Sequence, residues 1–343
     1  MRFNLAFYGS LLLMIVLLFL PLAGVGVGLE ALFGIIIPYA SLLIFIAGIV
    51  YRVITWARTP VPYRIPTTAG QQRSLPWIRS DNLENPHNLA GVTGRMILEV
   101  IFFRSLFRNL RSQLVKESGS PEGRRLIYWS SKWLWLGAIA FHYSFLIILL
   151  RHLRFFTEPV LPFVNLLSSI DSFFQVYVPA LYISGIIFLL AIIYLLLRRI
   201  FDHKTGYISL SSDYFLLLLI LGIGISGVFM RYFYRVDVIA VKELAMGLVT
   251  FHPAIPAEGI GTLFYIHLFF VCVLLVCFPF SKLIHMAGIF FSMTRNMANN
   301  NRAVRHVNPW EYPVKIFSYM QQEEMFRREM KEAGIPLEKD IEE

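Results

Sequence analysis

The chain has 343 residues, of which 57% are hydrophobic and 15% aromatic, above the ~45–50% apolar content of an average soluble domain. Its net charge of +9 would suit a nucleic-acid binder, but 26 of the 31 basic residues fall on one side of the apolar pattern traced below, which is the signature of membrane insertion instead. Two cysteines exclude a disulfide framework and a cysteine-based metal site.

In chain order, charge-free runs of spanning length occur at 3–29, 31–51, 133–150, 172–197, 214–230 and 259–281. A helix rising 1.5 Å per residue needs roughly 17–25 apolar residues to cross a hydrocarbon core of ~30 Å. The pattern therefore predicts an all-α, polytopic membrane helix bundle with six transmembrane helices. The first run exceeds a signal-peptide h-region of roughly 7–15 residues and reads as an uncleaved anchor. Residues 1–56 form a unit of two N-terminal spans, 57–128 a basic loop, 129–285 a four-helix bundle and 286–343 a C-terminal segment.

Segment 52–132 carries thirteen Lys/Arg, the link 198–213 three and the segment 282–343 nine, whereas the opposite side has only Arg151, Arg154, Arg231, Arg235 and Lys242. The positive-inside rule then places both termini in the cytoplasm of a multi-pass protein of the cell membrane. An inner face this basic suits anionic lipid or a docked partner. Residues 95–110 (RMILEVIFFRSLFRNL) are amphipathic enough to lie on the membrane surface or to join a docking face. The tail 321–334 reads as a charged, solvated helix ended by Gly334 and Pro336. Cys272 and Cys277 are about 140° apart on one helix and read as packing residues.

The chemistry lies in the histidines. The stretch FHYSFLIILLRHLRFF at 141–156 places His142 and His152 in the third span, and the sixth carries His267 near its start and His285 at its end, eighteen residues or five whole helical turns apart and so on one face. An ionisable residue inside a membrane is costly and points to function. The two spans run antiparallel, which matches His152 with His267 towards the outer face and His142 with His285 towards the inner face. Each pair can present two imidazole nitrogens to opposite sides of a haem plane. On straight helices the two ligand pairs are separated by about 15 Å and about 27 Å, a mismatch of some 6 Å at each end. Spacing alone therefore leaves other readings open: a transporter with proton-carrying histidines, or an anchor without cofactor. His87, His203 and His306 read as loop residues, and His252 in FHPAIP as part of an outer connection.

The third and sixth spans resemble the gamma subunit family of respiratory nitrate reductase, a dihaem cytochrome b, in the spacing of both histidine pairs and in FPFSKLIH at 278–285 and GVFMRYFYRVDVIAVKELAMGL at 227–248. The stretches at 60–80, 95–109 and 294–320 are similar to the narrower DsrM-type cytochrome b subunits of the sulfite-reduction-associated, or Hdr-like menaquinol oxidoreductase, membrane complex. The resemblance covers about 35–340 and implies two haem b held by His142, His152, His267 and His285. It also implies electron transfer with menaquinol as an oxidoreductase subunit in sulfur metabolism. The implied partners are a cytoplasmic heterodisulfide reductase-like iron–sulfur subunit, a multihaem cytochrome c, an extracytoplasmic iron–sulfur protein and a second membrane subunit. The segments 57–128 and 286–343 would dock the cytoplasmic one. Near the outer pair, Arg151 and Arg154 would contact cofactor, with Lys242 and Glu243 as further polar groups towards a quinone. The alternative within redox chemistry is a cytochrome b anchor for another quinone-linked oxidoreductase.

Overall fold

The computed structural model describes residues 5–59, 70–116, 124–172, 180–257, 259–299 and 315–338. Helix α1 (Leu5–Gly26) is followed by a π-helical turn at Leu32–Ile36 that runs into α2 (Ile37–Arg58). Beyond the membrane, α3 (Leu89–Phe102) starts where the Asn88 side chain accepts the Gly91 N–H at 2.9 Å. It stops at Phe103, which adopts φ 50° and turns the chain into the short α4 (Arg104–Arg108). Residues 95–110 are thus two helices and a strand start, not one surface helix.

An antiparallel hairpin follows, β1 (Leu110–Lys116) and β2 (Arg124–Ser130), in register Leu110 opposite Ser130. The sequence pattern predicts a loop here, and the structure forms two strands instead. Alternation of Leu110, Ser112, Leu114 with Arg111, Gln113, Val115 and the β-branched and aromatic LIYW of the second strand carry the strand signal. The hairpin is small, and the fold remains all-α: a helical membrane bundle.

The third span, α5, is Lys132–His152, extended by a 3₁₀ turn to Phe155. Helix α6 (Pro162–Asp171) precedes α7 (Ile183–Phe201), so the fourth span begins later than the expected residue 172. The reason is Asp171: its carboxylate accepts the Ser184 N–H at 2.7 Å and the Ser184 hydroxyl at 2.6 Å, which places it at the junction of two helices. Then come α8 (His203–Tyr207), α9 (Ser211–Tyr232), α10 (Val238–Val249) and α11 (Thr262–Cys277). The remainder consists of α12 (His285–Gly288), α13 (Met293–Asn296) and α14 (Tyr319–Glu332). Helix α14 carries a capping box between Ser318 and Gln321 and ends before Gly334 at φ 70°, close to its expected bounds, although Glu323 is buried rather than solvated. His306 lies outside the described residues.

Among the described residues, six helices are long and apolar enough to cross a membrane: Leu5–Gly26, Leu32–Arg58, Lys132–Phe155, Ile183–Phe201, Ser211–Tyr232 and Thr262–Phe280. Their outward side chains, such as Leu12, Leu43 and Leu190, are exposed, which suits lipid contact. Helix α5 packs on α7, α7 on α9, α9 on α1 and α11, and α11 on α1 and α2. Close seams rest on small residues. A Cβ at Gly137 of α5 would meet the Tyr194 ring of α7 at 2.5 Å, and one at Gly224 of α9 would meet Phe188 at 2.6 Å. One apolar core joins α1, α9, α10 and α11 around Leu219, Leu244 and Tyr265. A second joins α5, α7 and α9 around Phe188, Ile192 and Ile220, reaching Leu274 and Leu283. Helix α5, which carries His142 and His152, and α11, which carries His267, share no extended seam among the described residues.

Candidate functional site

The third span is regular through both of its histidines, which stand ten residues apart on α5. The sixth span is not. Helix α11 ends at Cys277, the FPF residues form a 3₁₀ turn, Ser281 is extended (φ −121°, ψ −179°), and a second 3₁₀ turn leads to His285. Pro279 has no N–H to give to a continuing helix, and the Ser281 hydroxyl recaps the chain by accepting the Leu283 N–H at 3.3 Å. His267 and His285 therefore do not share the face of one straight helix. This corrects the expectation of five whole turns on one face, and the rise of a straight helix does not apply between these two residues.

The structure brings the histidines together in two pairs. At the basic end of the bundle the rings of His142 and His285 lie 5.9 Å apart, centroid to centroid, at 82° to each other. At the opposite end His152 and His267 lie within electrostatic reach. His142, His152 and His267 are half-buried, whereas His285 is exposed.

Every one of the four rings has its Nδ1 engaged. His142 Nδ1–H donates to the Ala138 carbonyl, His152 to Ile148 and His285 to Lys282, each at 2.7 Å. His267 instead meets the Ser226 hydroxyl of α9 at 2.9 Å. Because Ser226 O–H is within donating distance of the Gly222 and Ile223 carbonyls at 2.8 and 3.0 Å, its oxygen is left to accept the His267 proton. A carbonyl or such a hydroxyl fixes the Nδ1–H tautomer, which leaves Nε2 as the lone-pair nitrogen of each ring. This is the second-shell arrangement that orients an imidazole towards a metal.

The surroundings fit a large apolar cofactor. His142 stands edge-on between Phe103 at 5.0 Å and Phe141 at 5.1 Å. Between the two levels lie Phe145 and Ile148 of α5, Leu221 of α9 and Leu274 of α11. No cluster of three or more His, Cys, Asp or Glu occurs among the described residues, and each pair offers two imidazoles. Paired neutral imidazoles in an apolar helical cleft suit haem iron rather than zinc. Cys272 and Cys277 are both free.

The polar groups near the second pair are distributed differently from expectation. Arg151 is ion-paired with Asp171, donates to Ser184 Oγ at 3.0 Å and lies 3.3 Å over the Tyr182 ring. Arg231 lies over the same ring at 4.0 Å and donates to the Ala180 carbonyl at 3.1 Å. Arg151 is thus already committed to the joint between α6 and α7. Arg154 stacks on Phe155 at 4.9 Å and lines an open cavity of about 400 Å³ with Asn165, Ser168, Val238 and Lys242. Lys242 is ion-paired with Glu158. At the basic end, buried Asp213 accepts from Lys282 Nζ at 2.7 Å, close to the carbonyl that holds His285. Ser226, Asp213, Asp171 and Phe103 were not singled out from the sequence. For Ser226 the available signal is a hydroxyl in the small-residue run GIGISG of a spanning helix.

Among the described residues, six helices long and apolar enough to cross a membrane, three of the four histidines standing on them, define a multi-pass helical membrane protein of the cytochrome b type of architecture. The family described as nitrate reductase gamma subunit matches residues 95–302. An Hdr-like menaquinol oxidoreductase cytochrome b-like subunit of Archaeoglobus fulgidus is 47% identical over 286 residues, 82% of this chain and 83% of that protein. A protein of the same description from Archaeoglobus profundus is 43% identical over 281 residues, 80% of this chain and 81% of that protein. The chain belongs to the nitrate reductase gamma subunit family, alongside these cytochrome b-like subunits.

Proposed function

We propose that this chain is the dihaem cytochrome b subunit of a quinol-linked oxidoreductase of the cell membrane, with both termini in the cytoplasm. The observation that carries the reading is the set of Nδ1 contacts. Each of the four histidines has Nδ1 against a carbonyl or hydroxyl, which leaves Nε2 available, and the rings fall in two groups at opposite ends of the bundle. His142 and His285 would hold the inner haem b, His152 and His267 the outer one. Bound haem supplies a reversible one-electron couple at each depth. The protein contributes ligand orientation, an apolar enclosure and a fixed separation between the two centres.

Quinol would be engaged at the outer pair, where the cavity beside Phe155 offers the Arg154 guanidinium and the Asn165 and Ser168 side chains to a polar head group. Menaquinol is the quinol named for the similar archaeal subunits. Carrying one electron across the full dielectric costs or yields about 2.3 kcal/mol per 100 mV, so the direction of flow couples to membrane potential. On the inner side the basic segments 57–128 and 286–343 would dock a heterodisulfide reductase-like iron–sulfur subunit. A multihaem cytochrome c, an extracytoplasmic iron–sulfur protein and a second membrane subunit would complete an assembly of sulfur metabolism. The test is a pyridine haemochrome assay on the purified chain, followed by reduction with a menaquinol analogue. Two haem b per chain, reducible by quinol, is the expected result; a well-folded, cofactor-supplied preparation without haem overturns the reading.

A further inference from the structure

The inner histidine pair sits at a mouth, since His285 is exposed and His142 only half-buried. One element from outside the spanning helices reaches it. Helix α3 ends with Phe103 at φ 50° and ψ 47°, a left-handed conformation that is uncommon for any side chain and an outlier for a bulky one. Such a conformation persists only where its surroundings impose it. Here they do. The Ile101 carbonyl accepts from the Tyr143 hydroxyl at 3.0 Å and the Phe102 carbonyl from Trp135 Nε1 at 2.8 Å, both donors coming from α5 on either side of His142. The Phe103 N–H returns to the Glu99 carbonyl at 3.2 Å. Pinned in this way, the Phe103 ring stands edge-on to the His142 imidazole at 5.0 Å.

The same helix is tied to the other histidine-bearing segment. Buried Arg95 donates to the Arg295 carbonyl at 2.7 and 3.1 Å and to the Met297 carbonyl at 2.9 Å, ten and twelve residues beyond His285. Asn299 reinforces the tie through the Pro86 carbonyl at 2.7 Å and Asn85 at 2.6 Å. Helix α3 therefore spans from the chain after His285 to the middle of α5.

We infer that α3 is a strap that fixes the inner histidine pair from the basic side, and that Phe103 is a positioning residue which covers His142 and excludes water from that site. The inference rests on the dihaem reading. An apolar cover disfavours the more highly charged ferric state, so removing it lowers the site's potential.

The experiment is a potentiometric titration of both haems in the purified full chain, wild type against Phe103→Gly and Phe103→Leu. Glycine accepts the left-handed backbone and deletes only the ring; leucine keeps bulk. The expected result for Phe103→Gly is a shift of at least tenfold in the inner site's reduction equilibrium, ~59 mV to lower potential for a one-electron couple, with the outer couple unmoved. Leucine should restore part of the shift. Selective loss of the inner haem would support the strap equally. Both couples at wild-type potential in Phe103→Gly overturn the inference while leaving the dihaem reading intact; a haem-free wild type overturns that reading first. Should the glycine variant not assemble, Tyr143→Phe removes the hydroxyl that pins Ile101. It should speed amide exchange across 103–107 and move the inner potential in the same direction, and no change in either quantity overturns the proposal.

Discussion

The Ser226 hydroxyl and His267 Nδ1, 2.9 Å apart, form the one link among the four histidines in which a neighbouring helix, not the ring's own chain, holds the imidazole. Ser226 is buried on α9, and its proton is directed to the Gly222 carbonyl, so the arrangement has one sense. Outer-sphere partners of this kind typically contribute about 10–100-fold in metal affinity. Ser226→Ala should therefore lower retention of the outer haem by that order during dilution and gel filtration, with the inner haem untouched. Ser226→Thr, which keeps the hydroxyl, should restore it. Equal retention in the alanine variant would show that the link only packs the helices.

The pairing itself makes a sharper prediction. His142→Ala and His285→Ala should remove the same haem, and His152→Ala and His267→Ala the other, each leaving about one haem per chain in a haemochrome assay. Optical and potentiometric signatures should coincide within each pair and differ between pairs. If His142→Ala and His152→Ala each retained both haems, the pairs drawn from the ring positions would be wrong as ligand sets.

The spans were legible in the sequence because bilayer length and polarity constrain a spanning segment directly. The relation between the pairs was only half legible. Treating the sixth span as one straight helix through His285 gives unequal separations, a mismatch of about 6 Å at each end that tilt and side-chain reach would have to absorb. The break at FPFS depends on a proline lacking an N–H and on a serine recapping the chain, which a count of apolar residues does not register. Asp171 was hidden for the opposite reason. It borders the apolar run 172–197 read as membrane-spanning, and its contacts with Ser184 and Arg151 tie the end of α6 to the start of α7 at Ile183. The hairpin at 110–130 escaped notice because a basic loop between spans is ordinarily irregular. Phe103 could not be anticipated at all, since nothing in FFRSLF marks which residue takes the left-handed turn.

Arg151 and Asp171 provide a test that separates structural from cofactor roles. Both side chains are largely buried, at 12% and 5% exposure, and they form an ion pair. Removing one partner of a buried pair leaves an uncompensated charge and costs about 3–5 kcal/mol, whereas removing both is far milder. Arg151→Ala should destabilise the protein in detergent by that order, and Arg151→Ala with Asp171→Ala should recover much of the loss. A double variant as unstable as the single one, but lacking the outer haem, would instead assign Arg151 to the cofactor.

Asp213 supports the inner pair at one remove. Its buried carboxylate accepts the Leu210 N–H at 3.1 Å and Lys282 Nζ at 2.7 Å, and Arg199 stands 3.3 Å away. Because the Lys282 carbonyl orients His285, loosening this anchor should loosen the ligand. Asp213→Asn should cost on the order of 2 kcal/mol, limited by the exposure of the lysine, and should broaden the inner haem's electron paramagnetic resonance signal. An unchanged spectrum beside a lowered melting temperature would confine Asp213 to packing.

The hairpin's seat should respond to acid. Asp202, between α7 and α8, accepts from Arg111 of β1 at 2.8 Å, and the Lys204 ammonium donates to the Ser112 carbonyl at 2.9 Å. Partial burial alone would raise the Asp202 carboxyl. The Thr205 hydroxyl, the Arg111 guanidinium, the Lys204 backbone N–H and Arg198 outweigh it and hold the pKa below the ordinary carboxylate value. A depressed carboxylate contributes stability above its unfolded pKa of about 3.9, and that contribution is lost as pH falls through the folded value. The hairpin should therefore stay seated at neutral pH and begin to release below about pH 4, read as faster amide exchange across β1 and β2. Asp202→Asn should exchange at the released rate already at neutral pH and lose the acid transition, whereas an acid transition that persists in this variant would place the titrating group elsewhere.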